Sequence, residues 1–244
     1  MQWTGNPSVH FAFEAAGYAA AAVVYTLVRQ RRGDAVGDRA RAAIIAGAAV
    51  GAAFGARLLY WLCDPSQNPL GGKTVVGGLL GGLIGVEIAK RMIGLTRSTG
   101  DLFVLPLIAA MCIGRIGCFL AGPIDHTAGN PTNLPWAMAI ADGVPRHPVA
   151  LYEMAFLIAL AFMRPKRDGD RFRIFLASYL AFRLAVDFLK PEPRPILLGL
   201  SAIQWAYVTG LIYYALVLSN DQRSAAVPLL RRRRVDLHDV LPQD

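Results

Sequence analysis

Apolar residues fall in seven blocks separated by short polar stretches: Phe11–Val28, Ala42–Cys63, Thr74–Ile93, Leu102–Ala121, Pro148–Met163, Phe172–Leu189 and Ser201–Leu218. A helix that crosses a bilayer needs about 20 predominantly apolar residues, within a range of about 17–25. The blocks therefore predict an all-α polytopic membrane protein with seven transmembrane helices. The fifth is the weakest, because it is short and carries Glu153 near its start. No long repeat and no soluble domain interrupts the series. Residues 1–220 are expected to form the membrane domain. Residues 221–244, with Arg231 to Arg234 in a row, are expected to be a disordered basic tail near anionic lipid.

Charge orients the spans. Arg29, Arg31, Arg32, Arg39 and Arg41 follow the first block, and Lys90, Arg91 and Arg97 the third. Arg164, Lys166, Arg167, Arg171 and Arg173 follow the fifth, and the arginine-rich tail follows the seventh. The alternate connections hold only Lys73, Arg146, Lys190 and Arg194. Bases accumulate on the cytoplasmic side, so the N-terminus is expected outside and the C-terminus in the cytoplasm. The first seven residues contain no Lys or Arg, which is wrong for a cleaved signal peptide, so the first block is expected to be retained.

Composition agrees with this topology. Of 244 residues, 55% are hydrophobic, and the mean hydropathy is +0.40. The net charge of +8 lies mostly between the blocks, so it points to membrane topology and not to nucleic acid. Cys63, Cys112 and Cys118 have no metal-ligand spacing and are read as packed thiols.

Ionisable residues inside spans are costly, so they are candidates for function. Here they are Glu14, Arg57, Glu87, Arg115, Glu153, Arg183 and Asp187. Arg115 either pairs internally, with Glu14 or Asp187, or forks onto an anionic ligand. Tyr179, Arg183 and Asp187 lie four residues apart on one helix face. Asp187 either neutralises Arg183 or holds it while its other donors face a cavity. Glu87 is expected to pair with Arg91, and Arg57 to snorkel. Arg146, His147 and Glu153 cluster where the fifth block begins, and Asp125-His126 follows the fourth. Two buried arginines beneath a rim of His and Glu would suit an anionic amphiphile with a proton acceptor at hand. Gly47, Gly51, Gly55 and Gly77, Gly81, Gly85 recur at i+4, with Gly78 and Gly82 alongside. These rows are packing surfaces, or else places where backbone amides approach a lipid headgroup.

Three segments, in order, resemble the bacterial prolipoprotein diacylglyceryl transferases. They are Gly114-Arg115-Ile116-Gly117-Cys118-Phe119, Arg146-His147-Pro148-Val149-Ala150-Leu151-Tyr152-Glu153, and Tyr179-Leu180-Ala181-Phe182-Arg183 with Asp187. Gly77-Gly78-Leu79-Leu80-Gly81 and Ala56-Arg57-Leu58 are weaker matches. The resemblance implies seven spans in a bacterial cytoplasmic (inner) membrane. It implies transfer of a diacylglyceryl group from phosphatidylglycerol to the lipobox cysteine of a preprolipoprotein, with no cofactor. On this reading Arg115 and Arg183 bind the headgroup. Tyr179, Asp187, Glu153, Arg146, Arg57, Gly77 and Gly78 line the substrate site, and His126 or His147 takes the proton. Val76 stands where the family carries histidine, Cys118 where it carries asparagine, and the family's Asn-Gly-Glu is replaced around Ala121-Gly122-Pro123. A divergent relative that uses another acceptor, or that only binds or moves anionic lipid, is the alternative.

Overall fold

The structure, a computed structural model, describes residues 7–34, 36–66, 68–121, 128–139, 143–165, 169–191 and 195–217. Asp125, His126 and the 221–244 tail lie outside the described residues. Among the described residues every apolar block is a helix: α1 Pro7–Arg32, α2 Asp38–Cys63, α3 Val75–Met92, α4 Val104–Ala121, α5 Val149–Ala161, α6 Arg171–Asp187 and α7 Ala202–Val217. A 3₁₀ turn, Asp101–Phe103, leads into α4. Three stretches are long and apolar enough to cross a membrane: Ser8–Arg32, Asp38–Cys63 and Asp101–Ala121. At 1.5 Å rise per residue, the 13-residue α5 is only about 20 Å long.

The chain is not purely helical. Between α4 and α5, β1 (Met138–Ala139) pairs antiparallel with β2 (Pro145–Arg146), and Pro131 bridges to Arg146. The long polar connection satisfies part of its backbone by pairing with itself, which hydrophobic periodicity does not report.

The two glycine rows meet face to face. A Cβ on Gly47 would lie 2.6 Å from the Gly85 carbonyl oxygen, and Cβ atoms on Gly51, Gly55, Gly77, Gly81 and Gly85 would run into the facing backbone too. Close backbone approach of α2 and α3 is therefore what these six glycines provide. Gly78 and Gly82, beside them, do not join that contact: their nearest neighbours across the pair would lie 3.5 Å or more away. At one end of the bundle Asp34 binds Arg29 and Arg41, and the Arg41 guanidinium sits 5.6 Å over the Phe103 ring. Burial pushes the Asp34 carboxyl up, but hydrogen bonds from Arg41 and the Val36 amide bring it below the usual range. Asp101 accepts from the amides of Gly169 (2.8 Å) and Phe172 (3.0 Å), which fixes the start of α6.

The core lies among α4, α5, α6 and α7, where Val104, Leu157, Phe175, Leu176, Tyr179, Leu180 and Tyr207 are fully enclosed. Large apolar side chains also cover the outside, among them Phe11, Val50, Phe54, Ile84, Met92 and Phe162. A water-facing surface does not carry apolar cover of this extent; a lipid-facing one does.

Candidate functional site

Four helices deliver charge or hydroxyl to one buried point. The α5 carboxylate of Glu153 is completely enclosed. Arg115 of α4 approaches one of its oxygens, with Nε 2.8 Å from Oε1. Arg183 of α6 takes the other, with Nη1 donating to Oε2 at 2.5 Å. Tyr179, one turn before Arg183, donates its hydroxyl to Oε1 at 2.7 Å. Tyr207 of α7 accepts from Arg183 Nε (3.4 Å) and Nη2 (3.3 Å).

The charge balance decides what this cluster can do. Two guanidiniums share one carboxylate, which leaves one net positive charge among side chains that are 8%, 5% and 0% exposed. An isolated buried charge is unstable, and a pair is tolerated only when its geometry and hydrogen bonds are good. Glu153 is well satisfied. Each arginine carries five N–H donors, more than these bonds use. The arrangement therefore favours a monoanion with several acceptor oxygens, such as a phosphodiester.

Next to the arginines lies a thiol. Arg115 Nη1 donates to Cys118 Sγ at 3.5 Å, and Cys118 Sγ is 3.8 Å from His10 Nδ1 on α1. Neither His10 nor Tyr207 stood out in the sequence. His10 precedes the first block, and Tyr207 is a tyrosine in an apolar run; only tertiary contact marks them.

Several assignments change. The carboxylate holding Arg183 is Glu153 and not Asp187, whose Oδ2 is buried without a hydrogen-bond partner. Glu14 does not reach the arginines; it binds Lys73 and accepts from Tyr18 at 2.8 Å. Glu87 pairs with Lys90 at 2.9 Å and not with Arg91. Here helical spacing allowed more than one partner, and the third dimension selected. Val76 is buried in the apolar core.

The rim is organised by its backbone. His147 N donates to Asn130 O at 3.1 Å, Gly129 N to His147 O at 3.2 Å, and Arg146 Nη1 to Gly129 O at 3.4 Å. A side chain at Gly129 would collide with His147. His147 Nδ1 lies 3.3 Å from the Tyr152 hydroxyl, which also accepts from Trp136 Nε1 at 2.7 Å. Arg57 is exposed on α2. Gly77 donates to the Thr74 hydroxyl that caps α3, at 3.2 Å. Asn130 also ties the rim to the turn after α6, through Leu189 O (2.7 Å) and Lys190 O (3.0 Å). Burial lowers the Lys190 ammonium to about 8; Arg183 and Arg115 push the same way, and Asp187 and Glu153 oppose them. Among the described residues, no three His, Cys, Asp or Glu side chains are grouped to hold a metal ion.

Fold and site together define a helical, lipid-facing protein built around a buried arginine pair. The model of one family, prolipoprotein diacylglyceryl transferase, matches residues 11–219. The chain belongs to that family. It is 34% identical over 183 residues to the phosphatidylglycerol–prolipoprotein diacylglyceryl transferase of Bordetella bronchiseptica, covering 66% of this chain and 68% of the relative. It is 31% identical over 217 residues to the protein of that name from Nitrosomonas europaea, covering 78% and 77%. With the one from Nitratidesulfovibrio vulgaris strain Miyazaki F it shares 37% over 180 residues, covering 66% and 65%. No solved structure matches.

Proposed function

We propose that this protein transfers a diacylglyceryl group from phosphatidylglycerol to the lipobox cysteine of a preprolipoprotein. It does so in a bacterial cytoplasmic membrane that it crosses seven times, with its N-terminus outside and its C-terminus in the cytoplasm. Family membership supports the reaction. The observation that carries the residue roles is the net positive charge of the Arg115–Glu153–Arg183 cluster.

Phosphatidylglycerol brings one negative charge, which matches that excess. The acceptor thiol loses its proton and its sulfur attacks the glycerol carbon that bears the phosphate. The C–S bond forms, the C–O bond breaks, and glycerol phosphate departs with the electron pair. Charge grows on the phosphate oxygens as it leaves, so guanidiniums already oriented there stabilise the transition state more than the substrate. Glu153 fixes both arginines, Tyr179 fixes Glu153, and Tyr207 fixes Arg183. Asp187, Arg146 and Arg57 border the lipid. A free thiol has a pKa of about 8.5, so a base accelerates the step. His10, beside Cys118 and Arg115, and His147 at the rim are the described candidates; His126 is the third.

A second reading has one observation in its favour. Buried Val76 removes the family's histidine, which suits a protein that only binds or moves anionic lipid. The test is incubation of purified protein with phosphatidylglycerol and a lipobox peptide, read by the mass of the thioether adduct. Adduct is expected. None, where a known transferase makes it, leaves lipid binding as the function. Single substitution of His10, His147 and His126 by Gln identifies the base: one is expected to lose at least tenfold, and unchanged rates in all three remove histidine from the mechanism.

A further inference from the structure

A cavity of about 330 Å³ runs between the helices away from the arginine pair, a size within the usual range of about 300–1,000 Å³ for ligand sites. Its wall is small and apolar: Ala48 and Ala52 from α2, Gly78, Gly82 and Leu83 from α3, Leu107 from α4. These are the two glycines that the α2–α3 contact does not use. From Gly78 to Lys90 the lining follows α3 for twelve residues, or about 18 Å. One leaflet of hydrocarbon is half of a core of about 30 Å, or roughly 15 Å. The bore is thus long, narrow and about one leaflet deep.

The far end is polar. Glu87, Lys90, Thr96, Ser98, Thr99 and Arg173 line it. Glu87 pairs with Lys90 at 2.9 Å and Arg173 with Asp170 at 3.5 Å, so both bases of this end are balanced by carboxylates. Tyr214 also lines the cavity; it is only 3% exposed, and its hydroxyl has no hydrogen-bond partner. A buried hydroxyl without a partner is costly, and an acceptor on a bound molecule removes that cost.

We infer that this cavity binds one acyl chain of a glycerophospholipid from the inner leaflet. The chain lies along Gly78 and Gly82, an ester carbonyl accepts from Tyr214, and the headgroup rests at the polar end lined by Thr96, Ser98 and Thr99. The leaflet follows from the orientation proposed above. This lipid is not the one that reacts, since its headgroup sits at the opposite end from Arg115 and Arg183.

The test is native mass spectrometry of the full-length protein after exchange into detergent with phosphatidylglycerol, or with uncharged diacylglycerol of the same chains. Gly82→Leu fills the bore; a Cβ there meets Ala52 Cβ and Ala48 O at 3.5 Å, ordinary contact. Tyr214→Phe removes one oxygen only and leaves the packing intact. Arg183→Ala clears the reacting-lipid site and separates the two lipids. Expected is one phosphatidylglycerol that survives Arg183→Ala, is lost in Gly82→Leu, and is held roughly fivefold less tightly in Tyr214→Phe. Equal retention in Gly82→Leu and Tyr214→Phe overturns the site. Diacylglycerol held as tightly as phosphatidylglycerol overturns the headgroup assignment. Failure of transfer activity, by contrast, bears on the proposed reaction and not on this lipid.

Discussion

Glu153→Gln is the most informative single perturbation, because one carboxylate holds three side chains. Each of its oxygens meets a guanidinium, at 2.8 Å and 2.5 Å, and Tyr179 donates to it at 2.7 Å. Gln keeps the volume but brings one oxygen and one NH2. Placing the oxygen toward Arg115 and Tyr179 turns the NH2 toward Arg183, donor against donor. Two buried guanidiniums then lose their counter-charge. Removing one partner of a buried pair costs about 3–5 kcal/mol. For a chain of this length, about 2–4 °C per kcal/mol gives a fall in Tm of roughly 6–20 °C. Thermal unfolding of the purified protein in detergent reads this directly. Arg183→Gln and the double variant complete a cycle: in the Glu153→Gln background the arginine change is expected to cost much less, with a coupling of at least about 1 kcal/mol. Bound phosphatidylglycerol supplies a substitute anion and is expected to recover part of the lost stability in Glu153→Gln. A Tm within 2 °C of the parent, or additive single effects, would refute the claim that Glu153 neutralises the arginine pair.

The other predictions follow from single contacts. Tyr207→Phe removes the hydroxyl that Arg183 approaches at 3.3 and 3.4 Å; a bond to a charged group is worth about 1.5–3 kcal/mol, so transfer is expected to slow by about tenfold or more in a single-turnover assay. Gly81→Ala drives a methyl into the α2 backbone and is expected to lower Tm by several degrees, whereas Gly82→Ala, with only ordinary contacts, is expected to stay within about 2 °C. Lys190, with its ammonium held down to about 8, is charged at pH 7 and neutral at pH 9.5. Its folded value lies below its unfolded one, so its burial penalty is present below about pH 8 and disappears as pH rises toward the unfolded value of about 10.4. Phosphatidylglycerol binding is therefore expected to weaken across pH 7–9.5 in the parent and to lose that dependence in Lys190→Met; identical pH profiles would exclude Lys190 from the site.

What the sequence exposed and what it hid have physical reasons. A charge inside an apolar run is visible without coordinates, because so few structures tolerate it; Arg115, Glu153 and Arg183 were picked out on that ground, and they meet. Glycines four apart announced a close helix contact, and α2 and α3 make it. Partner choice was not legible. Arg183 has Asp187 one turn away, yet Glu153 from another helix holds it. Glu87 had bases at both i+3 and i+4, and it takes Lys90. Tyr207 was invisible because a tyrosine in an apolar helix carries no signal until its hydroxyl finds a charge. The β1–β2 hairpin was missed because two-residue strands leave no periodicity. The cavity wall at Gly78 and Gly82 depends on which face α3 turns to α2, and i+4 spacing alone fits either row.

The central claim is that a buried arginine pair, set by Glu153, holds the phosphate while a peptide thiol displaces it. Single-turnover transfer from phosphatidylglycerol to a lipobox peptide, with Arg115→Ala and Arg183→Ala compared to the parent, tests it most directly. The account predicts thioether adduct with the parent and a loss of at least a hundredfold in both variants. Adduct formed at the parental rate by either variant would contradict it.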